Sequence, residues 1–158
     1  MRTIDALLEK YGESHQNKVN KLIHWICVPS IFFSIVGLLY AIPLPGDMPK
    51  TIWVSWATLI MVVVYIYYLR LSTTMFLAFV GWGFFCLWGN DVIYHLVNES
   101  NSSLALINLI IFAVAWVFQF VGHKIEGKKP SFLDDVKFLL IGPAWLLHFI
   151  MKRLGVKY

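Results

Sequence analysis

Four long apolar blocks, at residues 22–42, 52–71, 75–97 and 104–121, constrain this chain more than any other feature. Each is close to the roughly 20 residues that a helix needs to cross a hydrocarbon core of about 30 Å. The composition agrees. The chain is 59% hydrophobic and 14% charged, whereas soluble domains are about 45–50% apolar and about 25% charged. The expected fold is therefore all-α: a polytopic membrane helical bundle of about four transmembrane helices, forming a single membrane-embedded domain over residues 1–158.

The remaining segments fit around those blocks. Residues 3–13 place Ile4, Leu7 and Leu8 at helical spacing behind Thr3 as a cap, which predicts an N-terminal amphipathic helix at the membrane surface, ended by Gly12. The first long block follows a charged segment, so it reads as a span and not as a cleavable signal. Pro29 lies inside it, where a kink is expected. A last apolar piece, residues 138–151, is interrupted by Gly142-Pro143 and is short for a crossing. It reads as a re-entrant or surface-lying helix pair.

Charge sets the orientation. With four crossings and both termini cytoplasmic, 12 of the 13 basic residues fall inside and only Lys50 falls outside. This is the skew of the positive-inside rule, in a bacterial inner membrane or the endoplasmic reticulum. The net charge of +4 carries no basic patch interleaved with aromatics, which argues against a nucleic-acid partner. Cys27 and Cys86 are far apart in apolar segments and read as reduced packing residues.

Polar chemistry gathers in two runs. One, from Tyr11 to Pro29, carries His15, Asn17, Asn20 and His24; the other, from Gln119 to Pro130, carries His123, Lys124, Glu126 and Lys128. At about 100° per residue, Asn17, Asn20 and His24 share one helical face, as do Gln119, His123 and Glu126 if helix persists through Gly122. His15 and His24 are nine residues apart, on opposite sides of one straight helix, so they meet only if the chain turns between them. Three imidazoles and a carboxylate on one membrane side suit a divalent first-row metal. Asn17, Asn20 and Gln119 would orient the ligands, and Lys124 and Lys128 would attract the carboxylate of an amphiphile. The plain alternative has these histidines bonded to backbone and headgroups. His148 is a further candidate, His95 lies on the wrong side, and Asp91 has no evident partner.

Taken together, His15-x-Asn17-x-x-Asn20-x-x-x-His24-x-x-x-x-Pro29, Gln119-Phe-Val-Gly-His123, Pro130 and the later Gly142-Pro143 resemble the iron-dependent 2-hydroxy fatty acid dioxygenases, a family of small polytopic membrane proteins. The resemblance implies Fe2+ as cofactor and 2-hydroxy fatty acid and dioxygen as substrates. It also implies α-oxidation: cleavage between C1 and C2 to a product one carbon shorter. The family's histidines fall on His15, His24 and His123, with Glu126 beside them. The family's glutamate follows its histidine after three intervening residues, but Glu126 follows His123 after two. The acid expected after the late Gly-Pro is replaced by His148 and Phe149. The rival functions are a haem-binding electron carrier, with His24 and His123 as axial ligands, and a non-enzymatic lipid-binding or scaffold protein.

Overall fold

A computed structural model describes residues 3–13, 15–46, 48–127 and 138–156. Among these residues there are helices and turns but no strands: α1 (Thr3–Gly12), α2 (Lys18–Tyr40), α3 (Trp56–Leu71), α4 (Thr73–Leu96), α5 (Asn101–Glu126) and α6 (Ile141–Arg153). Three of them, α2, α4 and α5, are long and apolar enough to cross a membrane. Outward-facing side chains such as Val63, Leu77 and Val117 are more than half exposed. Apolar exposure along whole helices is what a lipid solvent permits and water does not.

Two compact units make up the chain, one formed by Met1–Phe32 with Ala113–Tyr158 and the other by Phe33–Phe112. Within the second unit α3 packs on α4. Ser72 alone joins them: its N–H donates to the Tyr68 carbonyl (2.8 Å), closing α3, and its hydroxyl accepts from the Met75 N–H (3.3 Å), opening α4. Tyr68 and Phe79 stack across the pair at 3.7 Å between centroids. Asn90 donates its side-chain amide to the carbonyls of Phe33 (3.2 Å) and Cys86 (2.9 Å), and its oxygen accepts from Asn108 (2.9 Å). In apolar surroundings such interhelical polar bonds fasten helices that gain little from hydrophobic contact alone.

Three boundaries differ from the sequence expectation. The second block becomes helical at Trp56 instead of residue 52. The Thr51 hydroxyl accepts the N–H groups of Trp53 (3.3 Å) and Val54 (3.1 Å), holding a turn, and Ser55 then caps the helix through the Thr58 N–H (3.1 Å). The resulting 16 residues span about 24 Å, short of the hydrocarbon core. α5 begins at Asn101, inside the expected polar loop, and runs on through Gly122 to Glu126. Gly142-Pro143 opens a helix and does not break one. Both residues lie in the first turn of α6, where backbone N–H groups have no intrahelical acceptor and proline forfeits nothing. The expected helix pair is thus one helix preceded by a turn at residues 138–140.

Asp91 also has a partner that its position in the sequence did not suggest, because the Tyr40 hydroxyl donates to its carboxylate. Cys27 and Cys86 are both buried thiols, with no disulfide.

In the first unit, α1 lies against α6 and buries Ile4, Leu8 and Tyr11 with Ile141, Trp145 and Leu146. Gly155, at φ +70°, ends α6. The Val156 N–H reaches back to the Met151 carbonyl (2.9 Å) and the Gly155 N–H to that of Lys152 (3.3 Å), the paired bonds of a Schellman motif.

Candidate metal centre

The turn that His15 and His24 require lies between α1 and α2. The Gly12 carbonyl, released at the end of α1, accepts the backbone N–H of His15 (3.0 Å) and the side-chain amide of Gln16 (2.7 Å). Asn17 then starts α2 by accepting the Val19 N–H on its side-chain oxygen (2.8 Å), as an N-cap does. His24 comes less than two turns into α2, and His123 sits on the last turn of α5.

These folds bring the three histidines together. His15, His24 and His123 are 2%, 1% and 6% exposed. Ring centroids are 4.3 Å apart for His15 and His24, 5.0 Å for His24 and His123, and 5.5 Å for His15 and His123. One ligand atom from each lies within 4.8 Å of the other two. At a metal–imidazole bond of about 2.0–2.1 Å, three nitrogens sharing one ion stand about 3–3.6 Å apart, so closing around a common ion takes a movement of up to about 1 Å by each ligand atom. The Nδ1–H of His15 donates to the Tyr11 carbonyl (2.7 Å) and that of His24 to the Asn20 carbonyl (3.0 Å). With Nδ1 protonated, the ring's lone pair is on Nε2, the arrangement that metal-binding imidazoles adopt. The donor set and its outer bonds therefore fit a divalent first-row cation.

Aromatic rings wall one flank. Tyr11 stacks on His15 at 4.2 Å and 15°, and Trp145 lies 5.4 Å from the same imidazole. A search of the sequence for ligand types passes over both residues. Tyr11 betrays itself only by standing four residues before His15, and Trp145 by following Gly142-Pro143 on the face of α6 turned to α1. Gly122 is a third such residue. A Cβ there would lie 2.4 Å from the Asn20 side-chain oxygen, so glycine at this position leaves room for the Asn20 side chain between the start of α2 and the end of α5.

The other expected site residues take different places. Glu126 is adjacent but not among the converging ligand atoms. Its Oε1 accepts the Gln16 N–H (2.8 Å), and its Oε2 accepts the Asn17 N–H (2.9 Å) and the Asn20 side-chain amide (3.0 Å). Asn20 is fully buried, whereas Asn17 is exposed and serves as the cap. Gln119 is buried one turn before His123 and lines a cavity of about 20 Å³ with Tyr11, Val28, Ile31 and Trp116. Lys124 is exposed beside His123, and Lys128 and Pro130 lie outside the described residues. His148 does not join the cluster; it lines an open groove of about 570 Å³ with Asp5, Glu9, Glu13 and Trp145. Burial, reinforced by Lys152, lowers the His148 pKa below the usual imidazole range, and Asp5 opposes that shift. His95 pairs with Glu99 (3.3 Å) and Asp91 (3.8 Å).

No solved structure gives a significant match. The 2-hydroxy-palmitic acid dioxygenase MPO1 of Saccharomyces cerevisiae (strain ATCC 204508 / S288c) is 30% identical over 147 residues, covering 92% of this chain and 78% of the yeast protein. Residues 1–154 match the family described as 2-hydroxy-palmitic acid dioxygenase Mpo1-like. With nearly the whole length matched, histidine cluster included, the chain belongs to the Mpo1-like family.

Proposed function

We propose that this protein is an Fe(II)-dependent dioxygenase that cleaves 2-hydroxy fatty acids between C1 and C2, leaving a chain one carbon shorter. The observation that carries the reading is the buried trio of His15, His24 and His123, its ligand atoms within 4.8 Å of one another, in a chain of the Mpo1-like family. Three neutral imidazoles would hold the ion and leave part of its coordination sphere for substrate. A ferrous ion held there supplies the redox chemistry with dioxygen.

The chain's own residues do the rest. The carbonyls of Tyr11 and Asn20 fix the tautomer and plane of two ligands. Tyr11 and Trp145 cover one side of His15 and keep water from it. His24 lies near the start of one apolar helix and His123 near the end of another. A substrate reacting there places its polar head at the membrane boundary and its acyl tail along apolar surface. Lys124, exposed next to His123, is positioned to draw in the carboxylate, a role that Lys128 would share. The charge skew supports cytoplasmic termini and four crossings, with α3 as the shortest. A haem carrier is disfavoured by the packing, since the rings of His24 and His123 meet edge to face at 5.0 Å with His15 against both, leaving no slot for a porphyrin.

The test is oxygen consumption by the purified protein, loaded with ferrous iron under reducing conditions and given 2-hydroxypalmitic acid, with mass spectrometry of the product. Oxygen uptake and a product one carbon shorter are expected. A Soret band in the protein as isolated, or no uptake by iron-loaded protein, would overturn the proposal.

A further inference from the structure

Glu126 stands three residues after His123, and its type invites assignment as a fourth ligand. Its surroundings argue otherwise. Both carboxylate oxygens already accept hydrogen bonds, from the backbone N–H groups of Gln16 (2.8 Å) and Asn17 (2.9 Å) and from the Asn20 side chain (3.0 Å). The backbone donors stand where the chain enters α2, where N–H groups lack intrahelical acceptors and favour a negative charge. A partly exposed carboxylate held this way is satisfied without a cation.

We infer that Glu126 is a positioning residue that fastens all three histidines, and not a metal ligand. Two of its partners each lead to one of them, and its own helix carries the third. Gln16 is the neighbour of His15. Asn20 presents its carbonyl to the Nδ1 of His24 (3.0 Å), so the Glu126–Asn20 bond sets the residue that orients that ring. His123 is three residues before Glu126 on the same helix, and Gly122, next to His123, lies against the Asn20 side chain, where an added Cβ would collide. A single carboxylate thus ties segments more than 100 residues apart, and the His15 turn keeps its place because of it. The inference rests on the metal-site reading above, and its test reads metal binding, not turnover.

The experiment substitutes Co(II) into the full-length protein in detergent and compares wild type with Glu126→Gln, Asn20→Asp and the double variant. In Glu126→Gln the Co(II) absorption bands keep their wild-type positions, because the ligands are unchanged, while Co(II) binds about 10–100-fold more weakly, the usual cost of removing an outer-shell partner. Asn20→Asp sets two carboxylates against each other and weakens binding similarly. The double variant exchanges amide and carboxylate between the two positions, which removes the repulsion of Asn20→Asp and re-forms that one bond with its direction reversed, so affinity recovers relative to Asn20→Asp; it stays below wild type because the same Glu126 oxygen also accepts the Asn17 N–H. Shifted bands in Glu126→Gln, or a double variant no better than Asn20→Asp, would overturn the inference and leave the histidine site standing. Wild-type protein that takes up no Co(II) would remove the metal site itself, and the inference with it. If Glu126→Gln does not fold, Asn20→Asp decides through affinity: Co(II) bound about 10–100-fold more weakly with unchanged bands supports the fastening role, and wild-type affinity refutes it.

Discussion

At the scale of single residues, the centre depends on a few atoms whose loss has distinct signatures. Replacing His15, His24 or His123 by alanine should remove bound iron and lower 2-hydroxypalmitic acid turnover by more than about 100-fold, beyond the range of outer-shell changes; elemental analysis and product assay on the same preparations check it. Gly122→Ala puts a Cβ 2.4 Å from the Asn20 oxygen. Overpacking of this kind costs roughly 1–3 kcal/mol, and thermal unfolding in detergent should fall while iron occupancy falls with it. Acid should also release the metal. Imidazole ligates only when neutral, so protonation competes with the ion, and affinity declines as pH drops. A pH titration of bound Co(II) would show it. The histidines are legible in the sequence because their side chains advertise metal chemistry. Tyr11, Trp145 and Gly122 are not, because stacking and close approach leave no mark on residue type.

At the scale of elements, apolar blocks announce the long helices, and short polar signals decide where they begin and end. Ser55 and Thr51 move the start of α3 by capturing backbone donors, an outcome of local bonds that hydropathy averages over. Gly142-Pro143 reads as a break, since proline usually is one inside a helix, but in a first turn it costs no bond. The persistence of α5 through Gly122 matters most, because it keeps His123 and Glu126 on one face. The N-cap of α2 offers an element-level test. Asn17→Ala removes the acceptor of the Val19 N–H and should cost about 1 kcal/mol of stability, with weaker metal binding, because α2 begins beside His15. Asn17→Ser, which also caps, should recover most of both losses. Thermal unfolding and Co(II) titration of the two variants separate these outcomes.

At the scale of the whole molecule, membrane residence follows from α2, α4 and α5. The basic skew predicts which way they run. A reporter placed at Lys50 should lie on the side opposite to one placed at Arg153, and substituted-cysteine labelling in intact and permeabilised cells would detect it. Labelling of both from the same side would refute the orientation and leave the histidine cluster untouched.

Helical, membrane-bound architecture was determined by the sequence alone, because transfer of apolar side chains to lipid adds up residue by residue and needs no partner elsewhere in the chain. The meeting of His15, His24 and His123 was decided only in three dimensions. Two of them lie on opposite sides of any single straight helix, and the third is about 100 residues away. They come together because Asn17 and Gln16 shape the turn between α1 and α2, Gly122 clears room for Asn20, and the Glu126 carboxylate bonds across the gap. Those bonds are directional and non-local, and no count of residue types contains them.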